Sequence, residues 1–249
     1  MSGEPKYLIT ILGPTAIGKT AMAIEVARHY GADILSADSR QFFSEMAIGT
    51  AVPSQEELAA AKHNFIQHIS IHDSFTVGDF ERDALALLDT LYVKNNVAVM
   101  VGGSGLYIDA VLKGFDDFPD IDPSIREALI SNYETQGIGY LQQLLEEKDP
   151  VHYARVAKDN PQRMMRALEV CLGTGRPYSS FLNLKKNIRN FRPIVIGLYA
   201  DREEMYNRIN RRVDIMVSEG LIEEARSLYP MRDLNALQTV GYRELFSYF

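Results

Sequence analysis

The segment Gly13-Pro14-Thr15-Ala16-Ile17-Gly18-Lys19-Thr20 fits the pattern G-x-x-x-x-G-K-[ST] and directly follows the apolar run Tyr7–Leu12. Strand, glycine-rich turn and helix is the setting in which this pattern holds a polyphosphate. Backbone N–H groups converge on the anion, Lys19 adds a point charge, and the Thr20 hydroxyl can ligate Mg²⁺ at the start of a helix expected over about Lys19–Tyr30. The loop names neither the polyphosphate nor the reaction. A second group of candidates, Asp38-Ser39-Arg40-Gln41, lies just past a short strand expected over Ala32–Ser36, with Gly31 ending the helix before it. In a parallel sheet, loops at the carboxyl ends of neighbouring strands share one crevice. That brings Asp38 toward the phosphate loop as a candidate catalytic carboxylate, with a turn or N-cap aspartate as the alternative. Val97–Val101 has the continuous apolar character of a central parallel strand and runs into Gly102-Gly103-Ser104-Gly105. Motor and switch NTPases carry an acid at the end of such a strand to hold Mg²⁺, whereas glycines stand here. Ser104 and the helix expected from Leu106 to Lys113 can donate to a phosphate or substrate in the same crevice, or serve as a plain helix cap.

The elements that must position these groups alternate strand and helix, as in an α/β protein with a parallel sheet. After the loop Ile48–Pro53, a helix is expected from Ser54 to Lys62, with Ser54 and Glu57 spaced as a capping box. A strand is expected over Phe65–Ile71, and Thr76-Val77-Gly78-Asp79-Phe80 leads into a helix reaching about Asn95. His63, His68 and His72 do not make a zinc set, because alternation along a strand separates them and no cysteine is near. From Gly114 the pattern changes to an acidic, proline-broken loop and then helical periodicity over Pro123–Gln136, Gly139–Lys148, Asp159–Gly173 and Pro177–Leu184. Phe191–Leu198 returns as a buried-type strand. From Asp201 the chain reads as helical to its end, with apolar positions Met205, Ile209, Val213 and Met216 beside Arg202, Arg208, Arg211 and Arg212. We therefore expect an α/β core of residues 1–113 and 191–249, interrupted by a helical insertion of residues 114–190.

With 249 residues, 46% of them hydrophobic, the chain can bury a sizeable core. A single cysteine, Cys171, among Leu168, Val170 and Leu172, is expected to be buried and structural. No charged-then-apolar leader and no long apolar span is present, so a cytoplasmic protein without a membrane partner is expected. The net charge of −7 argues against a nucleic-acid partner, but its distribution reverses that. From Arg155 to Arg212 there are 13 Lys and Arg against 5 Asp and Glu, the footprint of a localised anionic partner or of a solvated basic face.

Six blocks carry a resemblance: the phosphate loop; Ser36-Ala37-Asp38-Ser39-Arg40-Gln41; Ile48-Gly49-Thr50-Ala51; Gly102-Gly103-Ser104-Gly105-Leu106-Tyr107; Asp159-Asn160-Pro161-Gln162-Arg163 with Arg166-Ala167-Leu168-Glu169; and Val240-Gly241-Tyr242-Arg243. In this order they resemble the tRNA dimethylallyltransferase (tRNA isopentenyltransferase) family from end to end. The resemblance implies a P-loop kinase-like core and transfer of a five-carbon prenyl group from dimethylallyl diphosphate to N6 of the adenine just 3′ of a tRNA anticodon. It implies that residues 13–20 hold the diphosphate, with Mg²⁺ on Thr20 and Arg212 on the same leaving group, and that Asp38 orients the amine and takes its proton. It also implies that Asp38, Ser39, Arg40, Gln41, Ser104, Arg126, Gln162, Arg163, Met164, Met165 and Arg166 contact the anticodon stem-loop, the protein acting as a monomer. Two departures stand out. Family members usually continue past the Val-Gly-Tyr-Arg block with a basic, aromatic-rich helical stretch, whereas this chain ends at Phe249; and Ser104 stands where threonine is common. An ATP-dependent small-molecule kinase, a free adenine-nucleotide prenyltransferase and a non-catalytic nucleotide-binding module are the rival readings.

Overall fold

The computed structural model describes residues 4–116, 118–182 and 188–249. The chain divides into two compact units, Met1–Gly114 with Ile188–Phe249, and Phe115–Asn187.

The first unit runs β1 (Tyr7–Leu12), α1 (Lys19–Tyr30), β2 (Ile34–Ser36), α2 (Gln55–Ala60), β3 (His63–Asn64), α3 (Val77–Leu91), β4 (Val97–Val101) and α4 (Gly105–Lys113). The second unit holds α5 (Pro123–Gln136), α6 (Ile138–Lys148), α7 (Pro150–Tyr153) and α8 (Pro161–Thr174). The chain then returns to the first unit with β5 (Arg192–Gly197), α9 (Arg202–Ser218), α10 (Leu221–Leu228) and α11 (Tyr242–Tyr248).

The five strands form one parallel sheet in the order β3-β2-β4-β1-β5, with Ile9 and Ile34 both registered on Val99. Central β1 and β4 are apolar on both faces because helices cover both sides. Leu8, Ala98 and Met100 pack on one side with Phe42, Phe80 and Leu88, and Ile11, Val99 and Val101 on the other with Ala23 and Ile24 of α1. All strands point the same way, so the loops after β1, β2 and β4 open on one edge of the sheet.

In the first unit three elements differ from expectation. The strand expected over Phe65–Ile71 is only His63–Asn64, since Phe65 and Gln67 take left-handed φ of 64° and 45°, which breaks the ladder. An isolated parallel bridge pairs Phe43 with Ile69 outside the five strands, while His68 sits edge-on to Phe42, Phe65 and Phe75 at 5.3–5.5 Å. The strand expected to be buried, β5, is an edge strand that pairs only with β1; Ile194 and Val195 are 43% and 53% exposed. Finally, the inward stripe of α9 is Met205, Ile209, Arg212 and Met216, not one that includes Val213, which is 47% exposed. An arginine thus occupies an inward position.

The second unit packs Leu129, Leu141, Leu145, Met164, Met165 and Leu168 into its own core. Its short α7 was not foreseen; Asp149 caps it by accepting from the His152 amide and also accepts from the Ser179 amide and hydroxyl. The helix expected over Pro177–Leu184 is a 3₁₀ turn, Tyr178–Phe181, and Leu184, like Lys185 and Lys186 of the basic segment, lies outside the described residues. Cys171 is buried and its Sγ accepts from the Tyr178 amide, as expected of a structural cysteine. No helix among the described residues is long and apolar enough to cross a membrane.

Candidate active site and nucleic-acid interface

The turn between β1 and α1 is bent by residues in the left-handed region, Ala16 at φ 61° and Gly18 at φ 101°. For Gly18 this conformation costs nothing, while Ala16 carries strain of the kind that persists where the surroundings demand it. Gly18 is the N-cap of α1 and offers no side chain to the first-turn amides, which therefore face the loop's hollow as anion donors. Lys19 folds back across the loop, its Nζ donating to the Pro14 carbonyl at 2.7 Å.

Around this hollow the structure gathers Lys19, Asp38 and Arg212. Burial pushes the Lys19 ammonium below its ordinary value, Asp38 opposes that shift and Arg212 adds to it. Arg212, inward on α9, is itself lowered by burial and supported by Asp38 and Glu57. One carboxylate thus interacts with both cations, whose burial makes them readier to accept an anionic partner.

The Asp38 turn is fixed from several sides. Asp38 Oδ1 accepts from the Arg40 amide at 3.1 Å, and Gln41 accepts from the Ser36 hydroxyl while donating to the carbonyls of Thr50 and Ala51. The Arg40 guanidinium donates to the carbonyls of Asn235, Ala236 and Gln238, so this side chain holds backbone rather than projecting into open solvent. Next to Asp38, the glycines after β4 have a steric cause: a Cβ on Gly102 would lie 2.3 Å from the Ala37 carbonyl oxygen. An acid at that position is excluded because the backbone of the Asp38 loop passes there. Ser104 instead receives the Ser39 amide on its hydroxyl at 3.0 Å.

A cavity of about 720 Å³ opens on another side of the phosphate loop, between Ile17, Met22, Leu198, Tyr199 and Arg208. None of Asp38, Ser104 and Arg212 lines it.

In the second unit the block Gln162–Arg166 divides. Met164 and Met165 are 0% and 2% exposed and belong to the core, which corrects the expectation that they touch RNA. Helical spacing turns Gln162, Arg163 and Arg166 outward instead. There Arg126 pairs with Glu169 and donates to Gln162 at 2.9 Å, and Arg166 pairs with the same Glu169 at 3.2 Å and lies over the Phe118 ring. Arg163 and Arg166 line a cavity of about 600 Å³ with Arg155, Asn160, His152 and Tyr178. Among the described residues no carboxylate lines it, and Tyr178 offers a ring stacked on Phe118 at 4.9 Å. Arg155 was visible in sequence only as one of many basic residues, and nothing in the sequence marked Tyr178. Arg189, counted in the same basic segment, is used inside the first unit on Glu81 and the carbonyls of Ala110 and Val111.

The family model described as IPP transferase matches residues 41–249. The tRNA dimethylallyltransferases of Flavobacterium psychrophilum and Flavobacterium johnsoniae are 64% and 62% identical to the chain, over 98% of it and 81% of each relative. The crystal structure of the tRNA isopentenylpyrophosphate transferase of Bacillus halodurans superimposes with a TM-score of 0.68 at 35% identity, covering 98% of this chain and 77% of that one. With both the sequence match and the shared core reaching across nearly all of its length, this chain belongs to the IPP transferase family.

Proposed function

We propose that this chain modifies tRNA, transferring the dimethylallyl group of dimethylallyl diphosphate to N6 of the adenine adjacent to the anticodon on its 3′ side. The observation that carries the reading is the meeting of Lys19, Asp38 and Arg212 at the mouth of the phosphate loop in a chain of this family. In such a reaction the allylic C–O bond breaks, a C–N bond forms, and the leaving diphosphate takes the electron pair. The amides of Ala16–Thr20, Lys19 and Arg212 stabilise that developing charge, and the Asp38 carboxylate accepts the proton the amine loses.

The residues present fit a Mg²⁺ ion. Thr20 supplies a hard oxygen at the start of α1, and no cluster of three His, Cys, Asp or Glu occurs among the described residues. This suits an ion held by one side chain, substrate phosphate oxygens and water, and its charge would add to that of Lys19 at the leaving group. For the RNA, the outward Gln162, Arg163 and Arg166, with Arg155 and the Tyr178 ring, offer phosphate donors and a stacking surface suited to an unpaired loop.

Incubation with labelled dimethylallyl diphosphate, unmodified tRNA and AMP tests the reading. Label in tRNA supports it. Label in AMP, or phosphoryl transfer from ATP without prenylation, would replace it with one of the small-molecule readings.

A further inference from the structure

One carboxylate in the first unit has more partners than any surface ion pair requires. Glu224 of α10 accepts from three consecutive backbone amides, Ala47 at 3.0 Å, Ile48 at 2.9 Å and Gly49 at 2.9 Å, and from the Tyr242 hydroxyl at 2.5 Å. Tyr242 is fully buried, and its ring lies so close to Gly49 that a Cβ there would come within 2.6 Å. Only an ionised carboxylate presents acceptors alone to four donors; an amide would turn an N–H toward one of them.

The loop that Glu224 holds leads to the candidate catalytic residue. Beyond Gly49, the carbonyls of Thr50 and Ala51 receive the Gln41 side-chain amide at 3.1 and 2.9 Å, and Gln41 closes the turn that begins at Asp38. Met46 and Ala47 carbonyls accept the Thr50 hydroxyl, which stiffens the segment between the two anchor points. The other side of the same turn is held by Arg40 on Asn235, Ala236 and Gln238, a few residues before Tyr242. The segment from α10 to α11 therefore grips the Asp38 turn twice, and the phosphate loop enters neither set of contacts.

We infer that Glu224 is a positioning residue for the transfer reaction: anchored by Tyr242, it fixes the loop 47–51 and through Gln41 sets where the Asp38 carboxylate stands relative to the acceptor amine. The inference rests on the role proposed for Asp38. A displacement near 1 Å at such a group lowers turnover by about 10²-fold.

The test is Glu224→Gln, with Tyr242→Phe as the milder second variant. With E224Q, kcat for tRNA prenylation is expected to fall ~10–100-fold, while KM for dimethylallyl diphosphate and the affinity for inorganic pyrophosphate stay within about twofold. Hydrogen exchange should quicken over residues 38–51 and stay unchanged over residues 13–20. Y242F keeps the three amide bonds and loses only the anchor, so a fall in kcat of roughly 3–10-fold is expected. Unchanged kcat and exchange in folded E224Q overturn the inference, and Y242F decides in the same way if E224Q does not fold. Equal loss of kcat and pyrophosphate affinity would also overturn it, as the mark of general damage to the unit. A wild-type chain that prenylates no tRNA overturns the functional reading and the positioning role with it; an active wild type matched by E224Q overturns the positioning role alone.

Discussion

Ser39 and Ser104 are joined twice across the crevice: the Ser39 amide donates to the Ser104 hydroxyl at 3.0 Å, and the Ser104 hydroxyl donates to that of Ser39 at 3.1 Å. The loop after β2 and the loop after β4 thereby move as one, and Asp38, one residue before Ser39, inherits that rigidity. Ser104→Ala removes the acceptor of a partly buried amide, at a cost of about 1–3 kcal/mol of local stability. We expect kcat to fall roughly tenfold in S104A and to be largely retained in Ser104→Thr, which keeps the hydroxyl at the same place. Steady-state kinetics on the pair checks this, and equal losses in both variants would show that shape, not the hydroxyl, matters.

Asp38→Asn separates the two things Asp38 does. Asparagine keeps an oxygen for the Arg40 amide, so the turn survives, but that oxygen is no base. Turnover is expected to drop by ~10²–10⁴-fold with little change in diphosphate affinity, because proton transfer matters chiefly in the transition state. Single-turnover kinetics together with calorimetric titration of the diphosphate would show the split. Parallel loss of binding and rate would make Asp38 a structural turn residue.

Motifs are more legible in the sequence than the limits and order of the elements that carry them. The phosphate loop sits on a motif whose spacing follows from what an anion requires, and Asp38 follows from its place just past β2, whereas Arg212 rests on the family resemblance alone, since the inward stripe of α9 expected from the apolar pattern runs through Val213. The limits of β3 are not readable, because Phe65 and Gln67 leave the extended region and Phe65 packs on His68 and on Phe80 of α3, contacts that the alternation of a strand does not encode. The exposure of β5 depends on strand order, which apolar composition does not encode. The family resemblance includes Met164 and Met165 in the contacting block, whereas the helical period buries them and presents Gln162, Arg163 and Arg166. Glu224 gave no signal at all, since its partners are backbone amides some 175 residues earlier in the chain.

Lys19 sets a pH dependence whose sign follows from its surroundings. In the free protein, burial chiefly, and Arg212 further, hold its ammonium below the ordinary value of 10.5, with Asp38 opposing. A bound diphosphate supplies negative charge and raises that value again, so the complex holds more protons than the free protein between the two values. Affinity for dimethylallyl diphosphate is therefore greatest below the free-state value of Lys19, declines as pH rises through it, and levels off above the bound-state value. Calorimetry in two alkaline buffers of different ionisation heat should register proton uptake on binding in the wild type, and markedly less in Lys19→Ala. Proton release in the wild type would contradict the assignment.

The cationic face of the second unit is where the tRNA reading separates most sharply from its small-molecule rivals. Arg163 and Arg166 are not equivalent there, because Arg166 shares the charge of Glu169 with Arg126, whereas Arg163 stands outward in the first turn of α8. Each phosphate contact on an RNA loop releases condensed counterions, so the logarithm of affinity falls with the logarithm of salt at a slope of about −0.7 per contact for a single strand. Arg163→Ala should therefore flatten the salt dependence of tRNA binding by nearly one contact. Arg166→Ala should flatten it less, since removing its charge also leaves Glu169 with only one cation. The double variant should weaken tRNA binding at low salt and converge on the wild type at high salt, while diphosphate affinity, which belongs to the Lys19 loop, stays unaltered. Filter binding of an anticodon stem-loop at several salt concentrations, alongside calorimetry with dimethylallyl diphosphate, measures both. If slope and affinity are the same in wild type and double variant, these arginines form a solvated helix face and the RNA must be held elsewhere.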